Sequence, residues 1–240
     1  MDKDENGNNM LTESFIKELC EQNGQFSTPS LNDTLYLHFK GFRRIQNIEN
    51  YVNLKSIWLE ANGIVRIEGF EKQAKLKMIF MQQNQISKIE NLNHLTNLTV
   101  LNLSTNCIKK IENLRGLVNL ENLDLQGNII PNTEACEELL HLPKLSHLDL
   151  KNNQIDDKQN IIPFFSQLKS LSALYLKGNP CIRFISQYRK NLTANLSHLN
   201  YLDDRPVFEI ERLTADAFVR GGVEEEQRVR EEYQRKKASQ

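Results

Sequence analysis

Apolar residues recur along the chain on a fixed template. The segments LKSIWLEANGIVRIEGF, LKMIFMQQNQISKIENL and LTVLNLSTNCIKKIENL share the pattern L-x-x-L-x-L-x-x-N-x-I-x-x-I-E-x-L. Self-similarity at such a period marks an array of supersecondary units, each too small to bury its apolar face alone. The asparagines give the register: Asn62, Asn84, Asn106 and Asn128 stand 22 residues apart, and Asn153 and Asn179 follow after 25 and 26. Upstream, Leu35, Leu37, Phe42, Ile45 and Ile48 fill the apolar slots while Lys40 stands in the asparagine position. The count is seven repeats, the first atypical, as expected of a terminal unit.

Within each L-x-x-L-x-L, alternation at a period of two predicts a short strand whose last two leucines point inward, so that successive repeats stack as a parallel sheet. The asparagine then turns the chain off the sheet, its amide satisfying backbone groups that the bend leaves buried. A lysine accepts no hydrogen bond, so the turn at Lys40 is expected to be looser. The apolar residues that follow, such as Ile108, Ile111 and Leu114, fill the core from the outer side, where 22-residue units leave room only for a short helix or 3₁₀ turn. The two longer repeats carry helical inserts: NTEACEELLHL, with Thr133 as cap and Ala135, Leu139 and Leu142 facing the core, and NIIPFFSQL. The predicted fold is a monomeric, right-handed α/β solenoid with the parallel sheet on its concave side.

Alternation also identifies a surface. The residue between the last two leucines of each unit points out of the concave sheet, and along the stack these are Tyr36, Trp58, Phe80, Asn102, Asp124, Asp149 and Tyr175. The first three should align as an exposed aromatic ridge, with Phe39, Met78 and Val100 beside it. Asp124 and Asp149 give an acidic stretch bordered by Lys151 and Lys177. A large apolar patch marks an interface, and Trp and Tyr are common anchors there. The competing reading is that the N-terminal helix or its preceding tail folds over these rings.

Both ends of a stacked array need covers. Residues 1–30 are read as a tail and helical cap, with Phe15, Ile16, Leu19 and Cys20 on one helix face and Gly24 at its end. Residues 31–182 hold the repeats. Residues 183–208 form the second cap, in which Phe184, Ile185, Tyr188, Leu192 and Leu196 make a covering helix and Leu199 and Leu202 a last rung. Residues 209–240 begin with an amphipathic helix, EIERLTADAFVR, stopped by Gly221 and Gly222, and end in a charged helical tail. In that tail Glu224 and Arg228, Glu226 and Arg230, Glu231 and Arg235, and Glu232 and Lys236 are spaced i,i+4.

Charge and chemistry narrow the function. A net charge of −1 gives no general attraction to nucleic acid or anionic membrane. The N-terminus MDKDENGNNM has none of the basic-then-apolar character of a secretory signal, and no apolar run reaches membrane-spanning length. Cys20, Cys107, Cys136 and Cys181 read as free thiols in a reducing compartment. The sequons at Asn32, Asn97, Asn102, Asn191 and Asn195 are then not glycosylated. His141 and His147 near Cys136 fit no common metal-ligand spacing. No phosphate-binding glycine loop or HExxH motif is present, and the adjacent carboxylates Asp203 and Asp204 read as a turn closing the second cap. No enzymatic activity, cofactor or metal is expected, and the surface points to protein partners.

The 22-residue units with recurring I-x-x-I-E-N-L resemble the SDS22-like class of intracellular leucine-rich repeats, over roughly residues 31–205. Two segments, LNDTLYLHFKGFRRIQNIENYVNLKSIWLEANGI and YLDDRPVFEIERLTADAFVRGG, resemble more narrowly the dynein axonemal assembly factor 1 family. That resemblance implies a non-enzymatic scaffold acting in the cytoplasm of ciliated cells, associated also with the cilium or flagellum. Its implied partners are axonemal dynein subunits and chaperones or co-assembly factors. Members of the family continue into a long low-complexity tail whereas this chain stops at Gln240, so functions of that tail are not carried over. An SDS22-like phosphatase regulator and a spliceosomal A-prime-like ribonucleoprotein scaffold are the alternatives; neither accounts for LYLHFKGFRRI and YLDDRPVF.

Overall fold

A computed structural model describes residues 2–239. Seven three-residue strands follow one another at the spacing of the repeats: β1 (Thr34–Tyr36), β2 (Ser56–Trp58), β3 (Met78–Phe80), β4 (Val100–Asn102), β5 (Asn122–Asp124), β6 (His147–Asp149) and β7 (Ala173–Tyr175). Each pairs in parallel only with its neighbours in sequence. The sheet ends with β8 (Tyr201–Leu202), parallel to β7, and the antiparallel β9 (Arg205–Pro206). The central residue of every repeat strand, from Leu35 through Ile57, Ile79, Leu101, Leu123 and Leu148 to Leu174, is buried, and so is the apolar residue two positions later. Burial of one such side chain contributes roughly 1.5–3 kcal/mol, so the stack is held by continuous lamination of these rows with the isoleucines and leucines of the outer side.

The asparagines form a second continuous line. Asn106 Nδ2 donates to Leu103 O of its own repeat and Met81 O of the preceding one, at 3.0 Å each, and its Oδ1 accepts from Ile86 N. Asn84, Asn128, Asn153 and Asn179 repeat this set of contacts. Each amide thus closes its own turn and staples the turn before it. Asn62 differs at the acceptor end, taking Lys40 N and Gly41 N. The expected loosening at Lys40 is therefore offset from both sides, because Asn9 Nδ2 also donates to Lys40 O. The residue before each turn position, including Phe39, Ala61, Gln83, Thr105 and Asn152, has a positive φ, the cost of turning sharply off the sheet.

On the outer side a further row repeats every 22 residues: Asn47, Gly69, Asn91 and Asn113, all at positive φ. The three asparagines donate to Leu11 O, Ile67 O and Ile89 O of the preceding layer. At Gly69 a side chain is excluded twice, by the φ of 85° and by Ile45 O, which would lie 3.1 Å from a Cβ. The insert NTEACEELLHL forms a 3₁₀ helix, Glu134–His141, rather than an α-helix. Thr133 does not cap it; Asn132 Oδ1 takes Ala135 N, and Thr133 N is used on Asp157. In NIIPFFSQL, α2 (Ile161–Phe165) buries Ile161, Phe164 and Phe165.

At the N-terminal end α1 (Glu13–Gln22), capped by Thr12, buries Ile16, Leu19 and Cys20. At the other end α3 (Tyr188–Asn195) buries Leu192, and Leu196, Leu199 and Leu202 complete the cover. Phe184 lies outside this packing, half exposed at the end of a 3₁₀ turn. α4 (Glu209–Ala238) is broken at Gly221 and Gly222, where the Gly222 φ of 72° and ψ of −157° are open to glycine alone. Its second half is charged and largely exposed, and is tied to α3 near its start. Buried Glu226 binds Lys190 of α3 at 2.6 Å and Arg230 at 3.1 Å, while Arg228 pairs with Glu225 instead of Glu224.

Candidate partner-binding face

The strand register places the ridge positions side by side: Tyr36, Trp58, Phe80, Asn102, Asp124, Asp149 and Tyr175 are consecutive partners across the sheet. The rings stack. Tyr36 and Trp58 have centroids 6.3 Å apart at 29°, and Trp58 and Phe80 are 4.1 Å apart at 18°. Rings on successive strands about 4.8 Å apart lie within contact range when they face the same way. Met78 and Val100, two residues before the ridge on their strands, flank it, with Met78 exposed and Val100 half-buried. Phe39 lies just past the ridge and is 68% exposed.

The N-terminal segment docks elsewhere. Asn9 bridges to Phe42, and Leu11 O receives Asn47, so the tail runs beside the first turns rather than across the rings, and Tyr36 stays 38% exposed. The polar half of the face is more constrained. Asn102, Asp124 and Asp149 each accept the backbone N–H two residues on, from Ser104, Gln126 and Lys151. Lys151 Nζ is held on Asp149 at 3.0 Å and lies 5.1 Å from the Tyr175 ring centroid. Burial, together with the charge of Asp149, pushes the Asp124 carboxyl above its ordinary range. Lys177 turns away to Asp204 at 2.8 Å. Phe80, Val100, Asn102, Asp124, Asp149 and Tyr175 are among the residues that line a depression of about 330 Å³ in this face.

A third row was not singled out by the alternation argument, although it lies on the same face two residues beyond the ridge. In it His38 Nδ1, Glu60 Oε2 and Gln82 Oε1 are buried without hydrogen-bond partners, all beside the aromatic stack. Such atoms are uncommon and costly in a folded protein.

The six turn asparagines spend their amides on backbone groups and serve the fold. Asp203 also serves the fold, at the end of the strand ladder: its Oδ1 takes Leu176 N and Lys177 N, and Oδ2 takes the Tyr188 hydroxyl at 2.9 Å. In the same cap burial pulls Glu211 upward, but the hydrogen bond and charge of Arg189, with Arg205, hold its carboxyl below the usual range. Cys20, Cys136 and Cys181 are buried and Cys107 is exposed, all unpaired. Burial pushes the Cys181 thiol up to about 12, away from reactivity. Among the described residues no group of His, Cys, Asp and Glu is arranged to hold a metal, and no helix is long and apolar enough to cross a membrane.

Stacked parallel strands, an asparagine at each turn and a short outer-side helix or loop define a leucine-rich-repeat protein. The family model described as leucine rich repeats (2 copies) matches residues 74–116. The fold is also that of an internalin from Listeria monocytogenes, with a TM-score of 0.58 at 20% identity, covering 87% of this chain and 55% of that one. The chain is homologous to the dynein axonemal assembly factor 1 proteins. It is 61% identical to the human protein of that name over 93% of this chain and 31% of the relative. It is 56% identical to the leucine-rich repeat-containing protein ODA7 of Chlamydomonas reinhardtii over 92% of this chain and 51% of the relative. The chain thus spans about half or less of the length of these relatives.

Proposed function

We propose that this chain is a non-enzymatic protein-binding scaffold that acts in the cytoplasmic preassembly of ciliary or flagellar dynein arms and is associated also with the cilium. Its partners are axonemal dynein subunits, with chaperones or co-assembly factors, and they dock on the open sheet face. The observation that carries the client class is identity of 56–61% over more than nine-tenths of the chain to relatives named for axonemal dynein assembly or as ODA7. Support for the docking site comes from the stacked Tyr36, Trp58 and Phe80 beside Met78 and Val100, with the acidic positions Asp124 and Asp149 farther along the same row.

Affinity capture from ciliated-cell extract tests the reading. Dynein heavy or intermediate chains are expected with the wild-type chain, and Trp58→Ala with Phe80→Ala should weaken their capture by about 2 kcal/mol or more. Spliceosomal or phosphatase subunits in their place would overturn the dynein reading. In an organism that makes the protein, its loss should leave axonemes assembled but short of dynein arms. Intact arms with normal beating would count against it.

A further inference from the structure

The open face has an apolar end and an anionic middle, and their separation is fixed by the sheet. Trp58 and Phe80 lie on strands β2 and β3, Asp124 on β5. The distance from the midpoint of the ring pair to Asp124 is two and a half strand spacings, about 12 Å. Asp124 Oδ1 is bonded to Gln126 N, but among the described residues no cation forms an ion pair with its carboxylate. The nearest lysine on the face, Lys151, is already committed to Asp149. Beside the rings the orphaned Glu60 Oε2 and Gln82 Oε1 are acceptors without donors. The face therefore offers apolar area and, farther along, a carboxylate with no ion pair of its own among the described residues.

The strands β2 to β7 are hydrogen-bonded on both edges, so this face presents side chains and no free backbone ladder. An occupant must bring its own satisfied backbone, which a helix does. A helix rises 1.5 Å per residue, so 12 Å is about eight residues beyond the centre of an apolar pair at i and i+3 or i+4, and positions i+10 and i+11 lie there on the same helix face.

We propose that the face takes an amphipathic cationic helix, with apolar side chains at i and i+3 or i+4 on Trp58, Phe80, Met78 and Val100, and an arginine or lysine at i+10 or i+11 on Asp124. The proposal rests on the open face being the docking surface and adds the chemistry and register of what docks.

The test is selection of helical 18-residue peptides from a randomised display library on the full chain, with the Trp58→Ala, Phe80→Ala double variant as counter-target. Enriched peptides should carry the apolar pair and the cation at the stated spacing. They should bind Asp124→Asn about tenfold more weakly than wild type, while peptides whose cation is replaced by glutamine bind the two chains equally. Asp124→Asn keeps the fold, because Asn102 occupies the equivalent position one rung earlier and makes the same bond to the backbone. Binders without a cation at that spacing, binders indifferent to Asp124→Asn, or no enrichment over the double variant would overturn the proposal. Dynein capture that needs Trp58 and Phe80 but not the Asp124 charge would sink the cationic helix and leave the proposed function standing. Successful selection without capture of any dynein subunit would do the reverse.

Discussion

The turn asparagines and the ridge residues are both rows of side chains brought into register once per repeat, and they behave oppositely along the chain. The asparagine row is chemically uniform from Asn62 to Asn179, nearly all of it buried, and its contacts recur with the same partners in each layer. The ridge row reads Tyr, Trp, Phe, Asn, Asp, Asp, Tyr and faces outward. Uniformity marks a position where every layer poses the same problem, the unpaired groups of a sharp turn. Variation marks a position the fold leaves free, where side chains answer to something outside the chain.

That contrast breaks most completely if the stack loses the cover at its C-terminal end. Deleting residues 183–240 removes Asp203, which takes the last ladder N–H groups at Leu176 and Lys177, and uncovers the final layer, so the truncated chain should aggregate; a soluble form with a cooperative melting transition would show that the cap is dispensable. Asn106→Ala strands Ile86 N in the middle of the stack and removes one of the two asparagine donors from each of Leu103 O and Met81 O, and should cost roughly 1–3 kcal/mol in chemical denaturation. Asn62→Ala should cost less, about 0.5–1.5 kcal/mol, because that turn is only half-buried and its donors can reach water. In the ridge row, Trp58→Ala with Phe80→Ala should lower stability by about 1 kcal/mol or less, and a loss as large as that of Asn106→Ala would make the rings part of the core.

The smallest effect has the opposite sign. Because the folded-state pKa of Asp124 is raised by burial, ionisation favours the unfolded chain. This destabilising contribution is absent below the ordinary carboxyl pKa of about 3.9 and complete above the raised folded value. Asp124→Asn should therefore raise the melting temperature slightly at neutral pH, with the gain vanishing on acidification. A fall at neutral pH would mean that the charge serves the fold.

Period and alternation made the strand register, the asparagine line and the ridge legible, since each needs only a count along the chain. Contacts with no periodic signature were not. Asn9 reaching Lys40 and Glu226 reaching Lys190 join distant segments, and nothing local in MDKDENGNNM or VEEEQRVREE announces the partner. Gly221 and Gly222 signalled a stop, but a stop does not say whether the next helix leaves or folds back. The cap of the 3₁₀ insert moved by one residue because Asn132 and Thr133 are both good caps, and Asp157 settled the choice by taking the Thr133 N–H. Of the outer row, Asn91 and Asn113 stand in I-E-N-L while Asn47 and Gly69 occupy the same slot in IQNI and IEGF, and the meaning of the row lay in residue type: only glycine and asparagine settle readily into left-handed backbone.

Strict sequential pairing of the strands also determines how the molecule comes apart. A rung has no contact through the sheet with any but the rungs before and after it, so opening spreads from the ends as a zipper opens, and amide exchange should be slowest in the central repeats. A helix lying from Trp58 to Asp124 would bridge four consecutive rungs. It would act as a splint across that zipper, and protection gained on binding would extend past the contact surface, decaying with each rung toward either end.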